Sequence, residues 1–340
     1  MARPRPGGED DLIQSTFAPL ASGFPGALGL KDDCALIAPP DGEDLVVTTD
    51  AVAEGVHFFA DDAPADIAWK ALAVNVSDLA AKGARPLAYL MALSFPAEPE
   101  ESWLAGFAGG LRAAQDAFSI ALAGGDTDRR PGPLTVTITA IGSVPRGRMV
   151  RRDGARPGDL VFVSGTLGDS ALGLGIRRDA AQARAWGLDD GSAEALRARY
   201  LRPQPRIGLV APLRDFASAA MDISDGLVKD AKRLALASGV VLTLDAKLVP
   251  LSAAARAVVD GQPDLLETVL TGGDDYEVLA TAPSDRADLF RDAARERGVD
   301  VTVIGRVSEG TGVTVLALDG RPWAMTRDGW DHFPASTPEM

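Results

Sequence analysis

Short apolar segments alternate along this chain with longer segments in which apolar residues recur at helical spacing. The short segments are bounded by Gly, Pro or Asp, which is typical of strands. The clearest helix is predicted over 66–82, because Gly83 and Pro86 follow it and neither favours continuation of a helix. Strands that alternate with helices predict an α/β fold. The predicted strands are 44–52, 87–95, 134–144, 159–164, 219–223, 240–245, 276–281, 301–307 and 313–318, and the other predicted helices are 99–118, 168–178, 192–200, 204–213, 226–238 and 284–297.

The chain has 340 residues, which at roughly 150 residues per domain predicts two domains. The segment 145–158 is rich in Arg, Gly and Pro and poor in residues that form a core, as domain linkers are. We therefore place the boundary within this segment, with an N-terminal domain over 1–148 and a C-terminal domain over 149–340.

Charge and cysteine content exclude several classes of function. Asp and Glu number 48 against 34 Lys and Arg, so the net charge is −14, and a field of this sign repels a nucleic-acid backbone. One cysteine, Cys34, forms no internal disulfide, and one Cys with two His cannot build a Cys/His zinc site. No apolar stretch approaches the roughly 18 residues that a membrane span needs. We expect a cytoplasmic protein without a membrane or nucleic-acid partner.

Aspartates recur where apolar segments end, as at Asp50, Asp126 and Asp222, with Asp225 in the same turn as Asp222. One such aspartate is typical of a turn or a helix cap. Several that converge repel one another by roughly 4 kcal/mol per pair at about 4 Å, so a cluster is tolerable only with bound cations. Carboxylate and hydroxyl oxygens favour Mg²⁺ or Mn²⁺, and Mg²⁺ usually shares its coordination shell with substrate phosphates. The pattern therefore indicates a nucleotide enzyme.

Glycine-rich segments support the same interpretation. Two glycine pairs, at 124–125 and 272–273, allow a ligand to approach the backbone closely. The segment 164–169 (SGTLGD) precedes a predicted helix whose N-terminal amides could hold an anion, although it equally fits an ordinary strand-turn-helix cap. The sequence contains no P-loop, Rossmann or protein-kinase motif, which excludes the commonest nucleotide-binding folds.

A set of motifs resembles the thiamine-monophosphate kinase family, part of the ATP-dependent superfamily typified by aminoimidazole ribonucleotide synthetase. The motifs occur in order over most of the chain and are far more specific together than singly. They are TTDAVAEGVHF, KALAVNVSDLAAKGARPLAYLMALSFP, AGGDT, MVRRDGARPGDLVFVSGTLGDSALGL, RPQPR, AMDISDGLVKD, TGGDDYEVL and GWDHF. Two positions depart from the family pattern, because Lys31 in GLKDD replaces a glycine and Asp274 in GGDDYE replaces a glutamate.

The resemblance implies an α/β (α+β) homodimer. The N-terminal domains would bind ATP and Mg²⁺ and pair their mixed sheets into a barrel, and an α/β domain would follow. The implied reaction transfers the γ-phosphoryl group of ATP to thiamine monophosphate, giving thiamine diphosphate, with several Mg²⁺ ions per site.

The resemblance also implies roles for individual residues. The implied Mg²⁺ ligands are Asp33, Thr48, Thr49, Asp50, Asp78, Asp126, Asp222 and Asp225, of which Asp50, Asp126 and Asp225 would be the catalytic ones. The residues implied to bind ATP are Gly125, Asp126, Arg152 and Ser224, and those implied to bind the thiamine substrate are His57, Asp274 and Trp330.

Two alternatives remain open from the sequence. The chain could be another ATP-dependent member of the superfamily, or a non-catalytic nucleotide or metal sensor that binds ATP without forming ADP. For single residues, Arg152 could be an ordinary solvated arginine and Trp330 could pack the end of the chain onto its domain.

Overall fold

The computed structural model describes residues 9–331, which form two compact units. Unit 1 contains the chain up to Met149 together with Leu201–Arg214, and unit 2 contains Val150–Tyr200 and the chain from Asp215 onwards. The units differ from the predicted domains 1–148 and 149–340 mainly in Leu201–Arg214, which belongs to unit 1. The functions implied for the two domains remain predictions.

Unit 1 contains a four-stranded mixed sheet and the first three helices of the chain. The elements are β1 (Glu43–Ala53), β2 (Arg85–Phe95), β3 (Ala121–Arg129), β4 (Thr135–Pro145), α1 (Glu9–Leu12), α2 (Pro64–Ala81) and α3 (Glu101–Phe118). The strand order is β1-β4-β2-β3, with β4 antiparallel to β1 and β2, and β2 parallel to β3. A parallel pair needs a crossover connection, which α3 supplies between β2 and β3.

Helix α2 was predicted at 66–82 and begins two residues earlier, at Pro64, whose fixed φ suits the first helical turn. Asp66 in that turn pairs with Arg202, and the indole Nε1 of Trp69 donates to Pro203 O at 2.8 Å. These contacts attach Leu201–Arg214 to α2. Local periodicity in the sequence gives no information about such long-range contacts, so Leu201–Arg214 was not predicted to belong to unit 1.

Strand β3 was not predicted, because its GGDT sequence is typical of a turn. It forms because Gly125 permits a close approach to the neighbouring strand. A Cβ atom at Gly125 would lie 1.8 Å from Met91 O, the residue with which Gly125 aligns in the parallel pair. The glycine that suggested a turn therefore allows the strand.

Unit 2 contains a six-stranded mixed sheet, and each of its predicted strands is found. The strands are β5 (Asp159–Ser164), β6 (Ala219–Ile223), β7 (Val240–Asp245), β8 (Glu277–Pro283), β9 (Val301–Glu309) and β10 (Gly312–Leu316), in the order β10-β7-β9-β5-β8-β6. The helices of unit 2 are α4 (Asp169–Arg178), α5 (Ala181–Ala185), α6 (Asp190–Leu201), α8 (Leu227–Ser238), α9 (Ala253–Gly261), α10 (Leu265–Thr271) and α11 (Ala287–Glu296), whereas α7 (Val210–Phe216) lies mostly in the segment Leu201–Arg214 of unit 1.

The core of unit 2 lies between its sheet and helices that include α4, α8, α9 and α10. Helices α9 and α10 were not predicted, because each spans less than three turns and so contains few repeats of the helical period. Both contribute buried residues, among them Val258 and Val269. The mixed α/β class of both units confirms the predicted fold class, whereas the pairing of two chains into a barrel stays a prediction. Between residues 9 and 331, no helix combines the length and the apolar character needed to cross a membrane.

Candidate functional site

The sheet of unit 1 carries hydroxyl and carboxylate side chains on one face. Thr49 of β1 aligns with Thr139 of β4, and their hydroxyl oxygens lie 3.1 Å apart. Thr139 of the inner strand β4 and Asp126 of the edge strand β3 line the same cavity, so separate strands of the sheet place polar groups on this face.

The cavity has a volume of about 690 Å³ and two kinds of wall. Three carboxylates, those of Asp32, Asp33 and Asp126, lie in its lining. The apolar part of the lining includes Ile13, Phe17, Leu30, Ile37, Leu90 and Leu122. A cavity with a few polar groups beside a larger apolar wall suits a ligand that has a charged part and a flat apolar part.

The other face of β1 lies toward α2. Thr48 Oγ1 donates to Asp78 Oδ2 at 2.5 Å, and the amide of Asp50 donates to Asn75 Oδ1 at 2.9 Å. Because successive residues of a strand point to opposite faces, Thr48 and Asp50 lie on the face opposite to Thr49. The sheet thus divides the predicted metal ligands between its two faces. In the part of the chain that the structure describes, no three His, Cys, Asp or Glu side chains are placed to hold one metal ion.

Two polar residues of α2 were not among the predicted site residues, which on this helix included only Asp78. Asn75 is fully buried, and its side chain accepts from the Asp50 amide and donates to Ala71 O at 3.1 Å. Lys70 is also buried, and its Nζ donates to His57 O at 2.9 Å. A lysine and an asparagine within an otherwise apolar helix were the signal that could have identified both.

His57 lies in the turn that follows β1. Its ring Nδ1 accepts a hydrogen bond from the amide of Ala53 at 3.1 Å. In the neutral ring, the proton is therefore on Nε2. Together with the Lys70 bond to its carbonyl oxygen, this contact fixes both the ring and the backbone of His57.

In unit 2, the side chain of Asp230 holds the loop that carries Ser224 and Asp225. Asp230 was not among the predicted site residues. Asp230 Oδ2 accepts the amides of Ser224 and Asp225 at 3.0 and 2.9 Å. Arg233 donates to Asp230 at 2.7 Å and to Asp225 at 2.6 Å. Burial raises the pKa of Asp230 to about 6. An acid in the first turn of a helix, directly after the ISDG motif, was the available signal.

The structure brings together residues that are far apart in the sequence of unit 2. The amide of Asp274 donates to Ser224 O at 2.9 Å, and the amide of Trp330 donates to Asp225 O at 3.0 Å. Trp330 is 46% exposed, which does not match a side chain that packs into a core. Residues predicted to bind phosphate and residues predicted to bind the thiamine substrate are therefore neighbours through their backbones. The last two letters of the GWDHF motif lie outside the described residues.

The sequence left two interpretations of the SGTLGD segment open, an anion site at the helix N-terminus or an ordinary helix cap, and in the structure a carboxyl group of the chain accepts two of its amides. Asp275 Oδ2 accepts the amide of Gly168 at 2.8 Å, and Oδ1 accepts that of Ser170 at 3.3 Å. Burial raises the pKa of Asp275 to about 8. The amides of Gly168 and Ser170 are thus used within the fold.

Two further predicted residues are placed as follows. Asp222 is buried on β6, where Met221 and Ile223 on either side of it belong to the hydrophobic core, so Asp222 faces the other side of the sheet. The Arg152 side chain is exposed, and its carbonyl oxygen accepts from Ser238 Oγ at 2.8 Å.

Two family models match the chain. "AIR synthase related protein, N-terminal domain" matches residues 31–144, and "AIR synthase related protein, C-terminal domain" matches residues 156–317. The thiamine-monophosphate kinase of Caulobacter vibrioides is 42% identical over 327 residues, which cover 95% of this chain and 90% of that protein. The chain belongs to the thiamine-monophosphate kinase family.

Other members of this family support the same assignment. The thiamine-monophosphate kinase of Salmonella typhimurium is 42% identical over 90% of this chain and 91% of its own length. The crystal structure of the enzyme from Stenotrophomonas maltophilia matches with a TM-score of 0.78 and 44% identity over 86% of this chain and 90% of that chain. The solved complex of AaThiL with AMPPCP and TMP matches with a TM-score of 0.75 and 36% identity over 98% of this chain and 99% of that chain.

One departure from the thiamine-monophosphate kinase pattern has little consequence for the backbone. Lys31, which stands in place of a glycine, has a φ of −113°, a value that residues other than glycine adopt without strain. The loop that carries Asp32 and Asp33 therefore does not depend on a glycine at position 31.

Proposed function

We propose that this chain transfers the γ-phosphoryl group of ATP to thiamine monophosphate, forming thiamine diphosphate and ADP. The observation that carries the proposal is the match over 98% of the chain to a family member solved with AMPPCP and TMP. AMPPCP is an analogue of ATP that cannot transfer its γ-phosphoryl group. That relative was solved with both ligands, which supports direct transfer between two bound substrates.

We extend the proposal to Mg²⁺. The donors in question are carboxylate and hydroxyl oxygens, which Mg²⁺ prefers, and Mg²⁺ usually takes one or two protein carboxylates and completes its shell with phosphates and water. Groups of one or two carboxylates, such as Asp33 and Asp126 at the cavity and Asp78 beside Thr48, fit that requirement. Bound Mg²⁺ supplies neutralisation of phosphate charge. The residues proposed to hold it are Asp33, Thr48, Thr49, Asp50, Asp78 and Asp126 in unit 1 and Asp222 and Asp225 in unit 2.

The backbone of β3 supports the proposed ATP site. Gly125 keeps β3 close to β2, which places Asp126 at the cavity, and the amide of Thr127 donates to Asp126 Oδ1 at 2.9 Å, which orients that carboxylate. Phosphoryl transfer depends mainly on positioning and on charge stabilisation. The proposed task of Gly125 and Asp126 is therefore to fix the phosphates, and that of Ser224 and Arg152 is to contact the nucleotide.

The proposed acceptor site uses His57, Asp274 and Trp330. Thiamine monophosphate contains a permanently cationic thiazolium ring, which a carboxylate attracts and an indole face binds by a cation–π interaction worth about 0.5–2 kcal/mol. Asp274 and the half-exposed Trp330 offer these two groups. The His57 ring has a fixed orientation, because its Nδ1 accepts a hydrogen bond from the Ala53 amide.

We also propose a cytoplasmic homodimer. Strand β1 lies at one edge of its sheet, and its side chains Leu45 and Val47 are 39% and 60% exposed. An apolar edge strand in a folded protein is normally covered by a further strand or chain. A second copy of unit 1 would cover it, as the barrel implied by the family resemblance requires.

The experiment that tests the proposed function measures products. The protein is incubated with ATP, Mg²⁺ and thiamine monophosphate, and ADP and thiamine diphosphate are quantified by chromatography. Equal amounts of both products are expected. Binding of ATP without formation of ADP would instead indicate a sensor, and ADP with free phosphate would indicate a different acceptor.

A further inference from the structure

Asp275 is a buried acid that the proposed reaction does not use. Its side chain is 1% exposed, and its two carboxylate oxygens accept the amides of Gly168 and Ser170 at the start of α4. Its carbonyl oxygen accepts from Arg199 Nη2 at 3.4 Å. Asp275 therefore ties the loop between α10 and β8 to two separate helices, α4 and α6.

The Arg199 contact belongs to a larger buried group. Arg199 donates to Glu277 Oε1 at 2.7 Å, and Ser164 Oγ donates to Glu277 Oε2 at 2.5 Å. Glu277 is fully buried, and Ser164 Oγ in turn accepts the amide of Val278 at 2.8 Å. Both ends of the segment from Asp275 to Val278 are thus fixed by buried polar contacts.

The residues on either side of Asp275 have a strained backbone. Asp274 has a φ of 71° and Tyr276 a φ of 51°, in the left-handed region that side chains other than glycine seldom adopt. Such conformations persist only when the surrounding contacts determine them. Here the amides of Asp274 and Tyr276 donate to Ser224 O and Ile223 O, each at 2.9 Å, on the side of the loop that faces the ISDG motif.

We propose that Asp275 is a positioning residue, which by fixing the loop to the start of α4 keeps the neighbouring Asp274 directed toward thiamine monophosphate. The proposal rests on the proposed function, in which Asp274 contacts that substrate. Asp274 itself is only partly buried, so part of this residue is accessible to a ligand. If the bonds from Asp275 to the start of α4 are lost, the left-handed conformation of Asp274 loses one of the contacts that oppose its strain, and only the bonds to Ser224 O and Ile223 O remain.

The test is Asp275→Asn, which keeps the shape of the side chain. An asparagine has one acceptor oxygen, so its NH2 group must face one of the two amides that now donate to Asp275. We expect the KM for thiamine monophosphate to rise roughly tenfold to a hundredfold, because a misplacement of about 1 Å in a binding group has effects of this size. The KM for ATP is expected to stay within about twofold of wild type, since the Asp230 contacts that hold Ser224 and Asp225 are unchanged.

The matched control is Asp169→Asn. Asp169 is also a buried acid at the start of α4, but it accepts from the hydroxyls of Thr166 and Ser252, at 2.7 and 2.5 Å, rather than from amides next to the loop. A hydroxyl can accept from an asparagine NH2 group, so this variant is expected to keep the KM for both substrates. Circular dichroism and thermal melting of both variants establish that they are folded.

A double variant tests whether Asp275 acts through Asp274. Asp274→Ala alone is expected to raise the KM for thiamine monophosphate, and adding Asp275→Asn is expected to raise it no further. Additive effects, an unchanged KM in folded Asp275→Asn, or equal increases for ATP and thiamine monophosphate would each overturn the proposal. If Asp275→Asn does not fold, Asp275→Ser, which keeps one acceptor and no charge, replaces it. Failure of both to fold would make Asp275 a stability residue and overturn the positioning role.

The proposed function and the positioning role fail in different ways. If the wild-type protein forms no thiamine diphosphate, the proposed function is wrong and the role of Asp275 falls with it. If the wild type is active and Asp274→Ala raises the KM for thiamine monophosphate while Asp275→Asn does not, only the positioning role is wrong.

Discussion

Substitution of Gly125 should alter both the stability of unit 1 and the shape of its cavity. A Cβ atom there would lie 1.8 Å from Met91 O, so Gly125→Ala forces β3 away from β2. We expect a loss of about 1–3 kcal/mol in the free energy of unfolding and weaker ATP binding, measured by urea denaturation and calorimetry. Gly124→Ala is the control, because its Cβ would meet only the end of the Leu90 side chain, at 3.3 Å. Equal effects of the two substitutions would contradict the close approach.

Asp275 should also give the protein a characteristic pH dependence of stability. Burial raises its pKa to about 8 in the folded state, whereas an aspartate in an unfolded chain has a pKa of about 3.9. Between these values the folded state binds more protons than the unfolded state, so the contribution of Asp275 to stability is lost as pH rises. Relative to Asp275→Asn, the wild type should lose up to about 1.4 kcal/mol per pH unit between pH 5 and 8. Urea midpoints that change in parallel for both proteins would show that Asp275 is ionised throughout.

At the scale of elements, α2 and the segment Leu201–Arg214 depend on each other. Trp69 Nε1 donates to Pro203 O at 2.8 Å, and Arg202 lies 5.8 Å from the Trp69 ring centre. Trp69→Phe removes the hydrogen bond to Pro203 O. It should therefore lower the free energy of unfolding by about 1 kcal/mol more than a Trp→Phe substitution elsewhere that removes no hydrogen bond. Trp186→Phe serves as that control, since Trp186 Nε1 is buried without a hydrogen-bond partner among the described residues. Equal losses would mean that the Pro203 bond contributes nothing measurable.

Elements with a strong local pattern could be predicted from the sequence, and elements created by tertiary contact could not. Helix α2 was predicted within two residues at its start because its apolar residues extend over several turns between clear end signals. Strand β3 was missed because its glycines favour a turn unless β2 lies beside them. The attachment of Leu201–Arg214 to unit 1 depends on contacts of Trp69 and Asp66 that no local pattern reports.

In the candidate site too, some residues could be predicted from the sequence and others could not. Asp126 and Asp225 could be proposed from the sequence because they follow apolar segments, whereas the roles of Asp274 and Trp330 came from the family resemblance, and all four roles stay predictions. The residues that hold them, such as Asn75 and Asp230, were missed because a buried polar residue in a helix shows its purpose only when its partner is known. Thr48 and Thr49 were predicted together as Mg²⁺ ligands, but the alternation of side chains along β1 places them on opposite faces of the sheet.

We expect the protein to be a dimer at micromolar concentration. Val47 on the edge strand β1 is 60% exposed, so Val47→Lys should weaken pairing and give a monomeric mass by light scattering. Leu236→Lys is the control, because Leu236 is 74% exposed but lies in unit 2, on α8, and this variant should stay dimeric. A wild-type protein that is monomeric and fully active would contradict the barrel.

In the proposed reaction, the γ-phosphoryl group of ATP passes directly to thiamine monophosphate at carboxylates that include Asp126. Phosphorus NMR of the wild-type reaction with Mg²⁺ should show the diphosphate of thiamine appearing as the γ-phosphate signal of ATP disappears. Asp126→Asn should lose at least about 100-fold in rate, with a melting temperature equal to or above that of wild type, because removing an exposed carboxylate relieves charge repulsion. Release of inorganic phosphate in place of thiamine diphosphate, or near-wild-type turnover by Asp126→Asn at saturating Mg²⁺, would contradict the account.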